Sequence, residues 1–511
     1  MKPSSLNARR RQRDLEALAA GEVVDVLVVG GGITGVGVAL DAATRGLSVA
    51  LVERGDLAQG TSRWSSKLVH GGLRYLAKGQ FGLAHQSAVE RGILMARTAP
   101  HLTRALGMVA PVGGAVDGLD AGLAAAGFVA GNLLRVGAGT SRATLPSPRW
   151  LTPHEARLLT PAIEPRGLRG GLLSWDGQLT DDARLVVTVA RTAAAFGARI
   201  LPRCRVDAID ADGAHVHDVR ADQSLLVRAR HVVNATGVWA DRLHPEVRLR
   251  PSKGAHLVLH AAALGDPRAA LTVPVPGERA RYVFALPQDD GRVDVGLTDE
   301  PVDVAAEDPV ADEADETFLL TTLSRALERD LTPQDVVGSY AGLRPLLEAA
   351  EGASSDLSRD HAVLERVDGL LTVVGGKLTT YRRMAQDVVD RIAARDEVAA
   401  GPCVTASQPL VGAAPRARLM GLAADPGLVR RHGVEAVEIE ALMRREPELA
   451  EPVVAGRGYR RAELVWAARH EGALEVDDLL DRRTRIGLIT ADRATAAAGA
   501  EDVLAAGAPS S

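Results

Sequence analysis

The hydrophobic pattern near the start of the chain consists of a short apolar run, a glycine-rich turn and a longer mixed stretch. Residues 26–29 are all valine or leucine and are followed by glycine, which is typical of a strand buried on both faces. A helix is predicted from Ile33, and residues 47–52 predict a second buried strand that ends at Glu53. The pattern therefore predicts a compact unit of strand, helix and strand.

Three glycines lie in and just after the turn that follows the first strand. Gly30, Gly32 and Gly35 have GxGxxG spacing, which allows a tight turn, close approach of a pyrophosphate and close packing of helix on strand. The N-terminus of the helix would direct free N–H groups and its positive dipole end at the phosphates. Glu53 can accept hydrogen bonds from a ribose diol. We interpret the unit as the binding site of an adenosine dinucleotide.

Helical patterns are predicted in three further places before the chain reaches its middle. The first covers residues 6–20 and is interpreted as a short surface helix, and the second covers residues 80–106. The third follows a short strand that begins near Gly170, and either Asp181 or Asp182 is suited to be its N-cap. These helices are expected to pack on the dinucleotide unit and its surroundings.

The second half of the chain changes first to strand patterns and then to helical ones. Alternation from residue 252 onward predicts antiparallel strands with a hairpin turn at 289–291, and residues 336–344 predict another strand. From about residue 403 glycine becomes less frequent and helical periodicity dominates. The chain is therefore predicted to end in a separate, mostly helical domain.

Later strands end in residues that let the backbone pass close to a cofactor. The run HVVNATGVWA reads as a buried strand followed by a turn, and a pair of glycines precedes the helix that begins in TTYRRMA. The N-terminus of that helix is suited to face an anion. The additional cofactor contacts predicted from these strands are Val206, Ala235, Thr236, Gly237, Gly376, Lys377, Leu378 and Thr379.

A polar stretch after Glu53 concentrates residues that are rare in this chain. The whole chain has five lysines and five tyrosines, and a lysine kept among so many arginines should stand where a compact charge is needed. The stretch also has four hydroxyl residues and a pair of glycines, so we interpret it as a ligand site. Its candidate residues are Thr61, Ser62, Ser65, Ser66, Lys67, His70, Gly71, Gly72, Arg74 and Tyr75.

Length and composition narrow the class of protein. A chain of 511 residues is expected to form roughly three domains, and its 46% apolar and 24% charged residues are those of a soluble globular protein. The net charge of −5 does not favour nucleic acid binding. Two distant cysteines, no signal peptide pattern and no run long enough to span a bilayer predict a cytoplasmic protein.

Several motifs, in this order and spacing, resemble those of the FAD-dependent glycerol-3-phosphate dehydrogenases within the D-amino-acid oxidase superfamily. They are GGGITGVGVALDAATRG, SSKLVHGGLRYL, WDGQLTDDARL, NATGVWAD, SKGAH, GLTDE, YAGLRPL, GGKLTTYRRMA and DLLDRRTRIGL. The resemblance covers nearly the whole chain. It implies oxidation of sn-glycerol 3-phosphate to dihydroxyacetone phosphate, with hydride passing to FAD and electrons then to membrane quinone.

The resemblance also assigns roles to individual residues. Phosphate recognition needs convergent cations, for which arginine offers a bidentate fork. The residues of the implied substrate pocket are Arg74, Tyr75, His256, Arg344, Arg359 and Lys377. A base must take the proton of the secondary alcohol. His256 is the first candidate, and a path assisted by Arg344 is the alternative.

The resemblance implies an α/β fold in which a Rossmann-type FAD-binding domain, like that of glutathione reductase, is interleaved with a mixed antiparallel-sheet substrate domain. Residues 1–21 are expected to form an N-terminal helix, and residues 401–511 the helical C-terminal domain. The body between them, 22–400, is discontinuous. Its predicted FAD-binding parts are 22–77, 165–250 and 336–400, and its predicted substrate-domain parts are 78–164 and 251–335.

Other readings stay open. An oxidase that uses dioxygen is the runner-up, followed by an amine or amino-acid oxidase of the same fold and by a flavin-binding component without activity. FAD is expected to be noncovalent, because no cysteine or histidine stands in an evident tether position. Residues 121–150 have arginines but no acid, so a peripheral contact with the inner face of the plasma membrane is an alternative to packing on the body. A homodimer is also allowed.

Overall fold

The computed structural model describes residues 2–72, 75, 79–114, 121–278, 281–348, 361–395 and 397–507, and for residues 121–128 it describes only the backbone. The strands are β1 (Val24–Val29), β2 (Val49–Glu53), β3 (Leu68–Val69), β4 (Thr103–Gly113), β5 (Arg149–Leu151), β6 (Leu168–Leu179), β7 (Arg199–Pro202), β8 (Cys204–Asp210), β9 (Gly213–Asp218), β10 (Gln223–Asn234), β11 (Ser252–His260), β12 (Ala270–Pro274), β13 (Tyr282–Pro287), β14 (Arg292–Gly296), β15 (Glu300–Pro301), β16 (Val336–Arg344), β17 (His361–Glu365) and β18 (Leu371–Gly375). The α-helices are α1 (Ala8–Ala19), α2 (Ile33–Thr44), α3 (Phe81–Ile93), α4 (Ala121–Gly137), α5 (Pro153–Leu159), α6 (Asp182–Ala195), α7 (Glu313–Ser324), α8 (Tyr381–Ala393), α9 (Arg416–Met420), α10 (Pro426–His432), α11 (Ala436–Arg445), α12 (Arg461–His470) and α13 (Thr490–Gly507).

One sheet is built around the first strand of the predicted dinucleotide unit. Its strand order is β17-β18-β10-β1-β2-β7. Strand β9 pairs with the first half of β10, and β8 pairs with β9. Strands β18, β10, β1, β2 and β7 are parallel, as their uninterrupted apolar runs predict. Helix α2 packs between α6 and α8 on this sheet. The carboxyl ends of five adjacent strands therefore meet at one edge, where ligands bind in folds of this kind.

A second sheet holds the strands of the substrate half. Its order is β15-β11-β14-β13-β12-β4-β6-β3, with β16 paired to β11 and β5 to β6. The predicted hairpin at 289–291 is confirmed, since β13 and β14 are antiparallel on either side of it. The predicted α/β class with interleaved sheets and a helical C-terminal part is confirmed as well.

The structure differs from the predictions in one helix and in the sheet to which some strands belong. The helix predicted over 80–106 ends with α3 and a π turn at Thr98, and β4 begins at Thr103. Antiparallel pairing with β6 over the length of β4 outweighs the local helical spacing. Strands β6 and β16 belong to the second sheet, whereas the predicted segments 165–250 and 336–400 placed them with the FAD-binding parts.

Helix α1 was predicted as a surface helix, and this is wrong for one of its faces. Arg10 donates to the carbonyl of Ala194 at 3.0 Å, and Arg11 pairs with Asp218 at 2.5 Å. Both arginines are buried. The helix is thus attached to the dinucleotide half by ionic and polar contacts that a hydrophobic pattern does not indicate.

Buried ion pairs also attach the helical C-terminal part to the dinucleotide half. Asp56, three residues after Glu53, accepts hydrogen bonds from Arg482 at 2.6 Å and from Arg483 at 2.7 Å. Arg184 of α6 donates to Glu471 at 2.8 Å. Removing one partner of a buried pair typically costs about 3–5 kcal/mol of stability.

Within the described ranges, every helix is too short or too polar to cross a bilayer.

Candidate active site

The glycine turn after β1 packs so tightly that it excludes side chains. A Cβ atom on Gly35 would lie 1.9 Å from the carbonyl oxygen of Gly30, and one on Gly30 would lie 2.6 Å from the carbonyl oxygen of Ala235. Gly30 has φ +111°, a conformation that favours glycine. The two glycines are therefore required for close packing of α2 on β1 and of β1 beside β10.

The first N–H groups of α2 have few hydrogen-bond acceptors within the protein. Gly32 is the N-cap and provides no side-chain cap, and the first helical hydrogen bond runs from the Val36 N–H to the Gly32 carbonyl at 3.0 Å. The Ile33 N–H donates to Ser62 Oγ at 2.9 Å. The N–H groups of the first helical turn have no acceptor inside the helix. The oxygens of a phosphate can accept their hydrogen bonds.

Glu53 lies where the sequence predicts it, at the end of β2 beside the turn. Its two carboxylate oxygens accept hydrogen bonds from the N–H groups of Gly31 at 2.6 Å and Gly55 at 2.7 Å. Burial raises the pKa of Glu53, while these two backbone donors lower it. The carboxylate is thus fixed against the glycine turn, and further acceptor positions on its oxygens suit a ribose diol.

The two later strands reach the same edge of the sheet. The Ala235 N–H donates to the Val29 carbonyl at 2.9 Å, so the turn at 235–237 lies directly beside the glycine turn. Gly375 and Gly376 have φ +78° and +71° and lead into a short 3-10 turn, Leu378–Thr380, which continues as α8. Val206 stands in β8, whose neighbours include β2. These stretches are brought to one edge, and their individual cofactor contacts stay predictions.

The hydroxyl-rich loop joins the two sheets. Ser62 contacts the start of α2, Thr61 Oγ1 donates to the Leu343 carbonyl at 2.5 Å, and Ser66 Oγ is 2.8 Å from His256 Nε2. Ser65 donates through its hydroxyl to Asp182 at 2.7 Å. One loop therefore contacts both the dinucleotide turn and the strands of the substrate half.

His256 and Arg344 project from the same face of the second sheet. Strands β11 and β16 pair His256 with Tyr340 and Ser252 with Arg344, and alternate residues of a strand share a face. A Cβ on Gly296 would lie 2.1 Å from His256, and one on Gly254 would lie 2.4 Å from Arg344. A glycine in each of SKGAH and GLTDE thus makes room for the side chain of a candidate site residue.

His256 is a buried, neutral imidazole. It is 2% exposed, it stacks on Tyr340 with ring centroids 4.7 Å apart, and burial together with Lys67 and Arg344 lowers its pKa well below the ordinary value. Its Nδ1 atom has no hydrogen-bond partner among the described residues. In the tautomer whose Nε2–H donates to Ser66, Nδ1 carries a lone pair that can accept a proton.

Arg344 is held at the edge of the same face. Nη1 donates to Asp299 Oδ1 at 2.8 Å and to Ser252 Oγ at 3.3 Å, and Nη2 donates to the Thr298 carbonyl at 3.4 Å. Its side chain is 31% exposed. The guanidinium is therefore positioned by β11 and the 298–299 turn and is still accessible to a ligand.

Lys377 and Tyr75, two residues of the predicted pocket, are close together. Lys377 Nζ lies 3.8 Å from the centroid of the Tyr75 ring, within the range of a cation–π contact. Arg74 and Arg359, which complete the predicted cation set, lie outside the described residues. Of the six predicted pocket residues, four can thus be placed: His256 and Arg344 share one face of the second sheet, and Lys377 contacts Tyr75.

Lys67 and His70 have supporting positions. Lys67 is 1% exposed, its Nζ donates to Tyr340 Oη at 3.2 Å, and burial lowers its pKa. His70 Nδ1 is 3.1 Å from Asp176 Oδ2, and Asp176 also accepts a hydrogen bond from the Gly71 N–H at 3.2 Å. Gly72 has φ +84°. Lys67 thus underlies Tyr340, and His70 supports the Gly71–Gly72 turn.

Sequence reasoning did not identify Trp64, Tyr340 or Asp176 as parts of the site. Asp176 organises the glycine turn of the polar loop, and Tyr340 and Trp64 stack beside His256. Each stands in or next to one of the quoted motifs, and Tyr340 is one of only five tyrosines. That rarity was the available signal for Tyr340.

Comparisons with known proteins agree with a flavin site. The family model "FAD dependent oxidoreductase" matches residues 25–382, and "C-terminal domain of alpha-glycerophosphate oxidase" matches residues 403–506. Glycerol-3-phosphate dehydrogenase 1 of Mycobacterium tuberculosis is 50% identical over 509 residues, 98% of each chain. The glycerol-3-phosphate dehydrogenase of Synechocystis is 32% identical, over 92% of this chain and 90% of its own.

Solved structures share the fold. The glycerol-3-phosphate dehydrogenase from Bacillus halodurans complexed with FAD superposes with a TM-score of 0.74 at 26% identity and covers 98% of this chain and 94% of its own. The L-alpha-glycerophosphate oxidase from Mycoplasma pneumoniae with FAD bound has a TM-score of 0.56 at 16% identity and covers 76% of this chain and 98% of its own.

The glycine turn, the N-terminus of α2 with few acceptors and the carboxylate at the end of β2 fit FAD. Together with the match to the FAD-dependent oxidoreductase family, this confirms the cofactor predicted from the sequence. The substrate-half face with His256 and Arg344 adjoins the loop that contacts this turn. The chain therefore belongs to the FAD-dependent oxidoreductase family and, within it, to the glycerol-3-phosphate dehydrogenases.

Proposed function

We propose that the protein oxidises sn-glycerol 3-phosphate to dihydroxyacetone phosphate with noncovalently bound FAD and passes the electrons to a membrane quinone. The observation that carries the proposal is the shared face of β11 and β16, which holds an accessible arginine and an imidazole whose Nδ1 has no hydrogen-bond partner within the described part of the chain. The polar loop connects this half to the dinucleotide turn: Thr61 and Ser66 contact β16 and His256, and Ser62 contacts the start of α2. A reducible cofactor and a phosphate-binding cation are thus available at one site.

The phosphate is bound by cations of this chain. Arg344 offers several N–H donors on a planar fork, and Lys377 offers a compact charge near Tyr75. Arg74 and Arg359 belong to the same proposed set. A set of cations favours a phosphate ester over an amine substrate, which argues against the amine and amino-acid oxidase reading.

His256 takes the proton. When the C2–H bond breaks, the hydroxyl proton must leave so that C2–O becomes a carbonyl, and a neutral imidazole can accept it. The low pKa of His256 keeps that imidazole neutral, and with Nε2–H donating to Ser66 Oγ the lone pair for the proton is on Nδ1. A path assisted by Arg344 is the alternative. The chemistry that FAD supplies when bound is acceptance of the hydride from C2.

A glycerol-3-phosphate oxidase is the second candidate. It is favoured by one specific observation, the match of residues 403–506 to the C-terminal domain of an alpha-glycerophosphate oxidase. The two functions share the oxidation of the substrate and differ only in the electron acceptor. The flavin-binding component without activity is disfavoured by the presence of Arg74, Tyr75, Arg344 and Lys377.

The experiment is anaerobic mixing of the purified holoenzyme with sn-glycerol 3-phosphate, followed by addition of a quinone analogue or of dioxygen. Rapid bleaching of the flavin that quinone reverses supports the dehydrogenase, and fast reoxidation by dioxygen supports the oxidase. No bleaching would refute the substrate assignment. Acid precipitation tests the noncovalent state, since flavin should then remain in the supernatant.

Helix α4 is the proposed contact with the membrane. Val129, Leu133 and Val136 lie on one helical face and are 62%, 65% and 58% exposed. Phe81, at the start of the adjacent α3, is 68% exposed, and Arg142 follows α4 on the surface. An apolar helical face with a nearby cation suits an interfacial position on an anionic leaflet.

Flotation with vesicles that contain anionic lipid tests this surface. Wild type should float with the vesicles, and the double variant Val129→Gln, Leu133→Gln should not. Leu158→Gln is the matched control, because Leu158 is 59% exposed on a different helix. Equal flotation of all three proteins would refute the assignment. A homodimer and a position at the inner face of the plasma membrane stay predictions.

A further inference from the structure

A row of stacked side chains runs from the helical C-terminal part to His256. The guanidinium carbon of Arg485 is 5.1 Å from the centroid of the Trp64 ring. Trp64 stacks on Tyr340 with centroids 5.5 Å apart and planes at 20°, and Tyr340 stacks on His256 at 4.7 Å and 11°. We call these four residues the Arg485 row. The proposed base is its last member.

Arg485 is firmly anchored at the other end of the row. It is 2% exposed, and its φ of +61° is uncommon for a residue with a side chain. Nη2 donates to the Arg63 carbonyl at 2.7 Å, Nη1 donates to the Asp481 carbonyl at 3.0 Å, and Nε is 3.1 Å from Asp181 Oδ2. One guanidinium thus connects the C-terminal part to the polar loop and to the N-cap of α6, and it also bonds within the C-terminal part.

Packing and stacking position the middle of the row. The indole nitrogen of Trp64 has no hydrogen-bond partner among the described residues. A Cβ on Gly342 would lie 2.6 Å from Trp64 Cβ, so glycine in the YAGLR motif lets this residue approach β16. Arg63 is a second cation over the ring, at 4.2 Å. The plane of the indole therefore depends on its cationic and aromatic neighbours.

We propose that Arg485 is a positioning residue for the oxidation step, which holds Trp64 against Tyr340 and thereby fixes the ring of His256. The inference rests on the proposed function, in which His256 takes the proton. Rings stacked this closely cannot shift independently, since packed interiors leave few voids. A displacement of a catalytic group by about 1 Å can cost roughly a hundredfold in rate. Arg485 thus affects turnover without touching substrate.

The test compares two buried arginines that join α6 to the C-terminal part. Arg485→Gln removes the head of the row. Arg191→Gln is the matched control, because Arg191 is 3% exposed, donates to Glu435 at 2.7 Å and 2.9 Å and is not part of the row. For each holoenzyme, anaerobic stopped-flow with sn-glycerol 3-phosphate gives the limiting rate of flavin reduction and the half-saturating concentration. FAD content and Tm are measured alongside.

Both variants should lower Tm, but only Arg485→Gln should lower the limiting rate per bound FAD, by about ten- to a hundredfold. Its half-saturating concentration should change little, because the phosphate ligands are untouched. A limiting rate equal to that of Arg191→Gln overturns the inference. Loss of FAD with an unchanged rate per remaining FAD also overturns it, since Arg485 would then support only the cofactor loop.

A second pair of variants decides the matter if Arg485→Gln does not fold. Trp64→Phe keeps an aromatic ring in the row and should reduce flavin at nearly the wild-type rate, whereas Trp64→Leu should be slowed as Arg485→Gln is. A wild-type rate in Trp64→Leu overturns the inference. If wild type itself is not bleached by sn-glycerol 3-phosphate, the proposed function fails and the inference with it, whereas bleaching of wild type with unaffected variants refutes the inference alone.

Discussion

Substitution of Gly254 by alanine should move Arg344 without unfolding the protein. The added Cβ would lie 2.4 Å from Nη2 and 2.9 Å from Cζ of Arg344, whereas ordinary contacts begin at 3.4 Å. The guanidinium must therefore retreat by about 1 Å, the difference between 3.4 and 2.4 Å. It can do so because it is the end of a flexible side chain, while its contacts with Asp299 and Ser252 are disturbed.

The magnitude follows from what Arg344 contributes to phosphate binding. A hydrogen bond to a charged group is worth about 1.5–3 kcal/mol, which corresponds to roughly ten- to 150-fold in affinity. We therefore expect Gly254→Ala to raise the half-saturating concentration of sn-glycerol 3-phosphate by that factor. The cost in folding free energy should stay within about 1–3 kcal/mol, the usual range for overpacking. FAD content should be unchanged.

Stopped-flow flavin reduction over a range of substrate concentrations measures the effect. Gly458→Ala is the control, since a Cβ there meets nothing within 4 Å. In an Arg344→Gln background, Gly254→Ala should add little, because both changes act on the same guanidinium. A full additional effect in that background would refute the reasoning, and wild-type affinity in the single variant would remove Arg344 from the phosphate site.

The further predictions concern the pocket, the base and the cofactor turn. Lys377→Ala should severely impair turnover while FAD is retained, as measured by activity and flavin absorbance, and near-normal activity would exclude it from the pocket. Because the pKa of His256 lies well below 6.5, it stays neutral in the folded enzyme as pH falls through that value. The acidic limb of kcat/KM should then have its midpoint below 6.5, and a midpoint at or above it contradicts the assignment. The unfolded state takes up a proton near 6.5 and the folded state does not, so His256 also makes stability fall as pH drops below 6.5. Gly35→Ala should abolish folding or FAD binding, because its Cβ would lie 1.9 Å from a backbone oxygen of Gly30, and full FAD occupancy in soluble protein would refute this.

Local signals predicted the framework well. The apolar run of β1, the glycine turn and the hairpin at 289–291 lie where the sequence places them, and the N-cap of α6 is Asp181, one of the two predicted candidates. Each depends on residues within a few positions of one another, through side-chain alternation, turn conformation or a single capping bond. Such features survive in almost any tertiary context, which is why the fold class could be predicted.

Strand partnership and buried charge could not be predicted in this way. The start of β4 was assigned to a helix because its apolar spacing is compatible with both structures, and pairing with β6 decides the matter. Arg11, Arg482 and Arg483 look like surface cations in the sequence. They are buried because Asp218 and Asp56 lie far away along the chain and close in space.

By itself the sequence determined the cofactor turn, the α/β class and the residue types available for phosphate binding and proton transfer, since these follow from short-range pattern and side-chain chemistry. Only the tertiary structure decided which residues meet. The register of β11 with β16 puts His256, Tyr340 and Arg344 on one face, and glycines at 254, 296 and 342 leave space for side chains from other positions. Such contacts join residues up to hundreds of positions apart, and steric fit selects them only once both sheets have formed.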